Sequence, residues 1–366
     1  MIALVLALQV MSSPAPVYVQ AQLPRYPMKA ANPLSGRVAR LDKIIKIGFK
    51  GVGVSFEWRE IEGVPHRVVW SRPDSVIREA TARGLELFGL LTYSPRWAVP
   101  PGLADIPRID SHRPTLDGSS DLGDVAFAHF AALVVRRYSR WIKRWEVWNE
   151  ENSPLFWIAS RDGGVNSGPS ARDYAKLYRV SRDSILTADP EARVAIGGLA
   201  SFSGRVTTVI DPLDPARKVT ALPAHLFLRA VLADGITPSA VAIHPYSTTA
   251  PGVKRLGEMV PVFPDQVVDS VIAVLNEAGL TSVPLWVTEW GVDAHQVPDS
   301  RVLTNWVTSG LHSLRCNPRI EFVTIYSLTD PNPNTEFGVA DESGRLTALG
   351  RALKDAIQSP EPCDKS

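Results

Sequence analysis

The chain alternates along nearly its whole length between short apolar, β-prone runs and longer segments whose apolar residues recur at helical spacing. No other feature narrows the fold as much. Residues 51–56, 85–91, 143–148, 193–196, 240–243, 284–288 and 321–326 read as strands, and 17–22 is a candidate for an eighth. Residues 85–91 are almost continuously apolar, as expected of a strand covered on both faces. Helices are predicted over 38–47, 73–83, 124–138, 171–188, 224–233, 265–278, 300–315 and 347–357. Gly48, Gly84 and Gly279 supply C-terminal stops, Asp124 a cap, and Ser170 with Asp173 a capping box. Strand and helix in strict alternation imply a parallel sheet with covering helices.

Such a sheet is either open and doubly wound or closed into a barrel. The first needs a glycine-rich turn after an early strand, and Gly51-Val52-Gly53 instead lies inside a strand-like run. In a barrel, polar residues gather at strand C-termini. Asn149, Glu150, His244, Tyr246 and Glu289 all fall there. The expected architecture is therefore α/β, a single-domain (β/α)8 TIM barrel over residues 17–357. An apolar segment, 1–16, precedes it, and a polar tail, 358–366, follows.

Composition narrows the partners. The 366 residues carry a net charge of +1 with no long basic run, which argues against nucleic acid and for a neutral ligand. Thirty prolines fall mostly between periodic segments, where they stiffen loops. Trp97, Trp148, Trp157 and Trp290 sit at segment ends, suited either to the core or to stacking on sugar rings. The two cysteines, Cys316 and Cys363, are too few for a disulfide framework or metal cluster. In an oxidising compartment they would tie the tail down; in a reducing one they are unrelated thiols. Residues 1–10 are too short for a membrane span but long enough for a secretory core, with Val19-Gln20-Ala21 as a cleavage signal. The competing reading takes the alternation of Val17, Val19, Ala21 and Leu23 as a strand. Secretion is the expectation.

Two strands each end by presenting a glutamate, Glu150 and Glu289. Paired carboxylates at one apolar mouth suit glycosidic-bond hydrolysis, in which one is protonated and the other ionised. No cofactor or metal is expected; His244 and His295 lack ligand spacing.

The run Trp145-Glu146-Val147-Trp148-Asn149-Glu150 resembles the Trp-Asn-Glu motif of clan A retaining glycoside hydrolases. Thr288-Glu289-Trp290-Gly291 is similar to that clan's nucleophile strand, and His244-Pro245-Tyr246 to its sixth-strand motif. Ser94-Pro95-Arg96-Trp97, Phe156-Trp157, Tyr326, Asp330 and Phe337-Gly338 look most like family 39. The resemblance implies a carbohydrate substrate, Glu150 as acid/base and Glu289 as nucleophile. It further implies that Asn149 binds the sugar 2-hydroxyl, Tyr246 donates to Glu289, and His244 orders the site. Trp97, Trp157, Trp290 and Tyr326 become candidates for sugar stacking. Two positions depart from the pattern: Gly53 stands where an arginine is expected, with Arg59 or Arg96 as substitutes, and Tyr326 replaces a tryptophan. A binding protein on a degenerate barrel is the alternative to an enzyme.

Overall fold

Strands covered on both faces need apolar residues on both, and the β-prone apolar runs from residue 17 onward form a closed ring. The computed structural model describes residues 13–20, 41–99, 120–157, 170–201, 207–211, 214–246, 264–297, 299–330, 335–341 and 343–363. In chain order the strands are β1 (Val17–Gln20), β2 (Gly51–Glu57), β3 (Glu86–Thr92), β4 (Ile142–Asn149), β5 (Arg193–Ala200), β6 (Thr207–Asp211), β7 (Asp214–Ala221), β8 (Ala240–His244), β9 (Leu285–Trp290) and β10 (Ile320–Ile325). The ring runs β1-β2-β3-β4-β5-β8-β9-β10, every neighbour parallel, and closes where β1 pairs with both β10 and β2. The helices are α1 (41–47), α2 (Trp58–Ile61), α3 (Ser71–Thr81), α4 (Ser120–Tyr138), α5 (Ala171–Ala188), α6 (Ala224–Ala233), α7 (Pro264–Glu277), α8 (Ser300–Cys316) and α9 (Ala348–Gln358). This is the expected (β/α)8 barrel. Among the described residues, no helix is long and apolar enough to cross a membrane.

Strand alternation sorts the core into two layers. Val17, Val19, Val241, Ile243, Val323 and Ile325 pack outward with the helices, whereas Tyr18, Phe88, Trp286 and Phe322 cluster inside the ring. Below these aromatics the N-terminal mouth is closed by charge: Arg144 and Arg193 bind Glu321 at 2.9 and 2.7 Å, and the Tyr18 hydroxyl donates to Glu86 at 2.6 Å. At the other end Ser55, on the inward face of β2, is exposed, so solvent enters the barrel to that depth.

Several expectations shift. The first strand is described over Val17–Gln20, all four residues buried, and the expected Ala21 and Gln22 lie outside the described residues. Cleavage after Ala21, which lies outside the described residues, would remove a strand paired on both sides and open the ring. Asp124 is not a cap but lies within α4. β5 does not stop at Gly197 but runs through both glycines to Ala200. Between β5 and α6, where no strand is predicted, lies the antiparallel β6–β7 pair. The Ser170 cap forms as expected, its hydroxyl accepting from the Asp173 amide at 3.1 Å.

Cys316, at the end of α8, is joined to Cys363 across a sequence separation of 47. Loop closure of that length is worth about 4 kcal/mol of unfolded-chain entropy. Reduction should therefore lower the urea midpoint in denaturation followed by circular dichroism, and Cys316→Ser should reproduce the shift and abolish any further effect of reductant.

Candidate active site

Three strands break their pleat where they reach the C-terminal mouth. On β9, Val287 pairs with Val323 but Trp290 pairs with Ile325, so one extra residue is inserted between them. That bulge turns both Thr288 and Glu289 toward the interior and sends Trp290 outward. Gln20 of β1 donates to the Thr288 carbonyl at 3.4 Å. On β5 the same event falls at Gly197-Gly198, between the Ile196–Val241 and Leu199–Ile243 pairs. Its displaced backbone groups find new partners: the Gly197 amide donates to the Tyr174 hydroxyl at 2.8 Å, and the Gly198 carbonyl accepts from the Glu150 amide at 3.0 Å. On β4 the device is left-handed backbone, with φ of 74° at Trp148 and 50° at Glu150. Trp148 joins Val147 in the outer layer, and Asn149 and Glu150 take the mouth. Buried Asn152 locks this turn, donating to the Ala200 and Leu222 carbonyls and accepting from the Ala200 amide.

The two glutamates meet at His244, the last residue of β8. Its Nδ1 lies 2.9 Å from Glu150 Oε1 and 3.7 Å from Glu289 Oε2, and its Nε2 is 3.2 Å from the Thr288 hydroxyl. The Tyr246 hydroxyl donates to Glu289 Oε2 at 3.1 Å. One atom each from Glu150, His244 and Glu289 lie within 4.8 Å of one another. The ring has this position because Gly198 has no side chain; a Cβ there would collide with His244 Nε2. Burial by itself would drive the His244 proton off, but Glu289 and Glu150 face it and lift its pKa to about 9. Burial also pushes the Glu289 carboxyl up, against the opposing pull of His244 and the Tyr246 hydroxyl, and it ends above the ordinary carboxylate value. Three ligand atoms this close are compatible with a metal ion, but the Nδ1 that would serve as ligand is engaged in the hydrogen bond with Glu150.

Beside this trio runs a second polar wall, of Asn149, Tyr93, Arg59 and Glu57, in which sequence reasoning missed Tyr93 and Glu57. Asn149 donates to the Tyr93 hydroxyl at 3.3 Å, and Tyr93, at the end of β3, has a φ of 60°. Arg59 lies 5.1 Å over the Tyr93 ring and is paired with the buried Glu57 at 2.6 Å. The strand ends were a usable signal for both Glu57 and Tyr93. The structure also accounts for Gly53: a Cβ there would press on the Phe88 ring and on Gln20 Oε1, leaving no room for an arginine.

The tryptophans divide. Trp157 and Trp290 are each 1% exposed. Trp157 packs edge-on to Trp148 and Tyr174, and Trp290 lies against Gly310 of α8. Neither presents an open face, which corrects the stacking role expected of them; for Trp290 the cause is the bulge beside it. Trp97 is half-buried, its indole donating to the Glu62 carbonyl and meeting Trp58 edge-on. Tyr326 is half-buried in an aromatic set with Tyr246 and Phe337, each pair edge-on. The last loop is held by Asp330, which accepts from Thr335 and the Phe337 amide.

Two further acids are fully buried. Glu146, inward on β4, sits beside His244 and Thr288, and burial raises its carboxyl to about 8. Glu151 packs against Gly197 and is likewise raised to about 8 by burial. Neither carboxyl has an oxygen in hydrogen-bond geometry among the described residues.

No protein-family model matches the sequence, and no curated protein sequence matches it. Solved structures do. A family 39 glycoside hydrolase from the gut symbiont Bacteroides cellulosilyticus WH2 matches with a TM-score of 0.65 at 17% identity, over 94% of this chain and 64% of that one. GH5_18 from Streptomyces cattleya, in complex with GlcNAc, matches at 0.62 and 14% identity, over 97% and 83%. A monomeric β-xylosidase from Caulobacter crescentus CB15 matches at 0.59 and 15% identity, over 94% and 69%. This chain thus spans less than two thirds of the length of the first. At these identities the likeness is one of fold.

The buried acids make a prediction about stability. An acid whose folded pKa lies above its unfolded value holds its proton in the native state while the unfolded chain has released it. The resulting penalty is absent below the unfolded value, grows as pH rises, and is complete above the folded value near 8. Glu151→Gln, which keeps the shape and removes the titration, should raise the melting temperature at pH 8 and leave it nearly unchanged at pH 4, read by differential scanning calorimetry.

Proposed function

We propose that the protein is a retaining β-glycosidase that hydrolyses O-glycosidic bonds of a polysaccharide, oligosaccharide or glycoside by double displacement. The observation that carries this reading is the convergence of Glu150, His244 and Glu289 within 4.8 Å at the C-terminal mouth of a barrel. Retaining enzymes hold their two carboxyl groups about 5–5.5 Å apart, whereas inverting ones leave about 6.5–9.5 Å for a water. The close approach here supports the retaining spacing. The fold shared with glycoside hydrolases supports the same reaction class.

In this mechanism Glu289, aimed by the Tyr246 hydroxyl, attacks the anomeric carbon. Glu150 gives its proton to the leaving oxygen as the glycosidic bond breaks, leaving a glycosyl ester on Glu289 and a carboxylate at Glu150. Water then attacks the same carbon, Glu150 takes its proton, and Glu289 departs as a carboxylate. Asn149, held by Tyr93, binds the sugar 2-hydroxyl. Tyr326, packed edge-on to Tyr246, and Trp97, half-buried after β3, are the proposed sugar-contacting aromatics. Secretion is part of the proposal, and the Cys316–Cys363 disulfide supports it, since such bonds persist in oxidising compartments.

A panel of aryl β-glycosides and polysaccharides tests the reading. Glu150→Gln should lower kcat by about 10²–10⁴-fold, least for the best aryl leaving groups. An activated 2-fluoroglycoside should label Glu289 covalently, found by mass spectrometry, and Glu289→Gln should abolish the label. Full activity in both variants would refute the assignment, and sugar binding without turnover or label would mark a degenerate, binding-only barrel. Because Glu289 must be ionised to attack, kcat/KM should fall as pH drops through its raised pKa, placing the acidic limb above the ordinary carboxylate range.

A further inference from the structure

The site contains more ionisable groups than the double displacement uses. His244 is 1% exposed and has one ring nitrogen, Nδ1, facing both carboxylates, at 2.9 Å from Glu150 and 3.7 Å from Glu289. The other, Nε2, is occupied by the Thr288 hydroxyl at 3.2 Å, and the ring lies flush against the bare backbone of Gly198. The ring is therefore held from two strands, hydrogen-bonded to Glu150 and within ion-pair distance of Glu289. The charged or titratable groups that face it among the described residues come from three elements. From β4 come Glu146, Glu150 and, further off, Glu151; from β9 comes Glu289; from its own strand end comes Tyr246, edge-on at a centroid distance of 6.4 Å. β5 contributes only glycine at the contact. Arg59, at the same mouth, is ion-paired with Glu57.

Resting on the glycosidase reading above, we propose that His244 is a standing positive charge that the reaction hands from one carboxylate to the other, balancing Glu289 in the free enzyme and Glu150 in the glycosyl-enzyme. The charge count gives a group of this kind a role. Before reaction Glu289 is the anion and Glu150 carries a proton. After glycosylation Glu289 is a neutral ester and Glu150 is the anion. The pair holds one negative charge throughout, but that charge moves from one side of Nδ1 to the other. A cation fixed between them stabilises both states without moving, which is preorganised electrostatic stabilisation. The buried acids Glu146 and Glu151 fit the scheme as neutral groups, raised by burial, that do not compete for the imidazolium. His244 acts through the two glutamates and is a positioning residue.

The test reads charge as well as rate. In ¹⁵N-labelled protein the His244 ring signals, assigned by their loss in His244→Gln, are followed from pH 6 to pH 10. The free protein should show an imidazolium through pH 8. Glu289→Gln, which removes the anion of the free enzyme, should lower its midpoint by at least one pH unit, whereas Glu150→Gln, which exchanges a protonated acid for an amide, should move it less. In the fluoroglycosyl-enzyme trapped on Glu289, His244 should remain protonated, because Glu150 has taken over the negative charge. A midpoint in the free protein at or below the ordinary value overturns the proposal and needs no variant to fold. So does loss of the proton on trapping. In kinetics, His244→Gln should move the acidic limb of kcat/KM upward by about one pH unit, since Glu289 loses its nearby cation; a uniformly lower profile with unchanged limbs would mean a merely structural role. Failure to turn over or trap any glycoside would overturn the glycosidase reading itself. The titration of the free protein, which needs no substrate, tells that failure from a failure of the charge assignment.

Discussion

A β-strand sends successive side chains to opposite faces, and this site exists because three strands abandon that rule at the same end of the barrel. With a regular pleat, β9 could point either Thr288 or Glu289 inward but not both. The bulge delivers the two together, one to hold His244 and one to face Glu150. The bulge on β5 uses glycine twice, once to let the His244 ring reach the backbone and once to admit Glu151. The left-handed residues on β4 turn Trp148 out and leave Asn149 and Glu150 at the mouth. Remove any of these irregularities and the carboxylates no longer converge.

Convergence carries an electrostatic cost. Charges withdrawn from water are unfavourable unless paired, and a buried group answers by shifting its pKa. Glu146 and Glu151 answer as neutral acids. His244 answers in the opposite sense, because the carboxylates around it outweigh the desolvation of its ring. The outcome is a mouth in which Glu150 and Glu289 face one histidine, Glu57 is paired with Arg59, and Glu146 and Glu151 are held above the ordinary carboxylate range.

The two ends of the barrel handle charge differently. At the N-terminal end, Arg144, Arg193, Glu86 and Glu321 are paired among themselves over a floor of stacked aromatics. Those groups are spent on one another and serve closure. At the C-terminal end the polar residues point into space that solvent reaches. β1 links the two, since its Tyr18 belongs to the floor and its Gln20 to the bulge carbonyl on β9. The shortest strand of the ring's first half is thus tied to both ends, which is why its loss would be felt at the site.

Much of this was legible in the amino-acid order. The alternation of strand and helix is a local periodicity, so the barrel, most element positions and the placement of Glu150, His244 and Glu289 at strand ends could be read directly. Caps such as Ser170 are equally local. What could not be read depends on residues far apart in the chain. A bulge is a mismatch between two strands, so Trp290 looked like a mouth residue until the pairing of β9 with β10 turned it outward. Gly53 looked like a missing arginine until Phe88 and Gln20 were seen to fill its space. Tyr93, Arg59 and Glu57 assemble only when β2 and β3 lie side by side. The union of Cys316 with Cys363 required α8 and the tail to be brought together. Sequence alone determined which residues would stand at the mouth, because periodicity is set by near neighbours; tertiary structure decided which of them face one another and with what charge, because distance and burial are set by the whole ring.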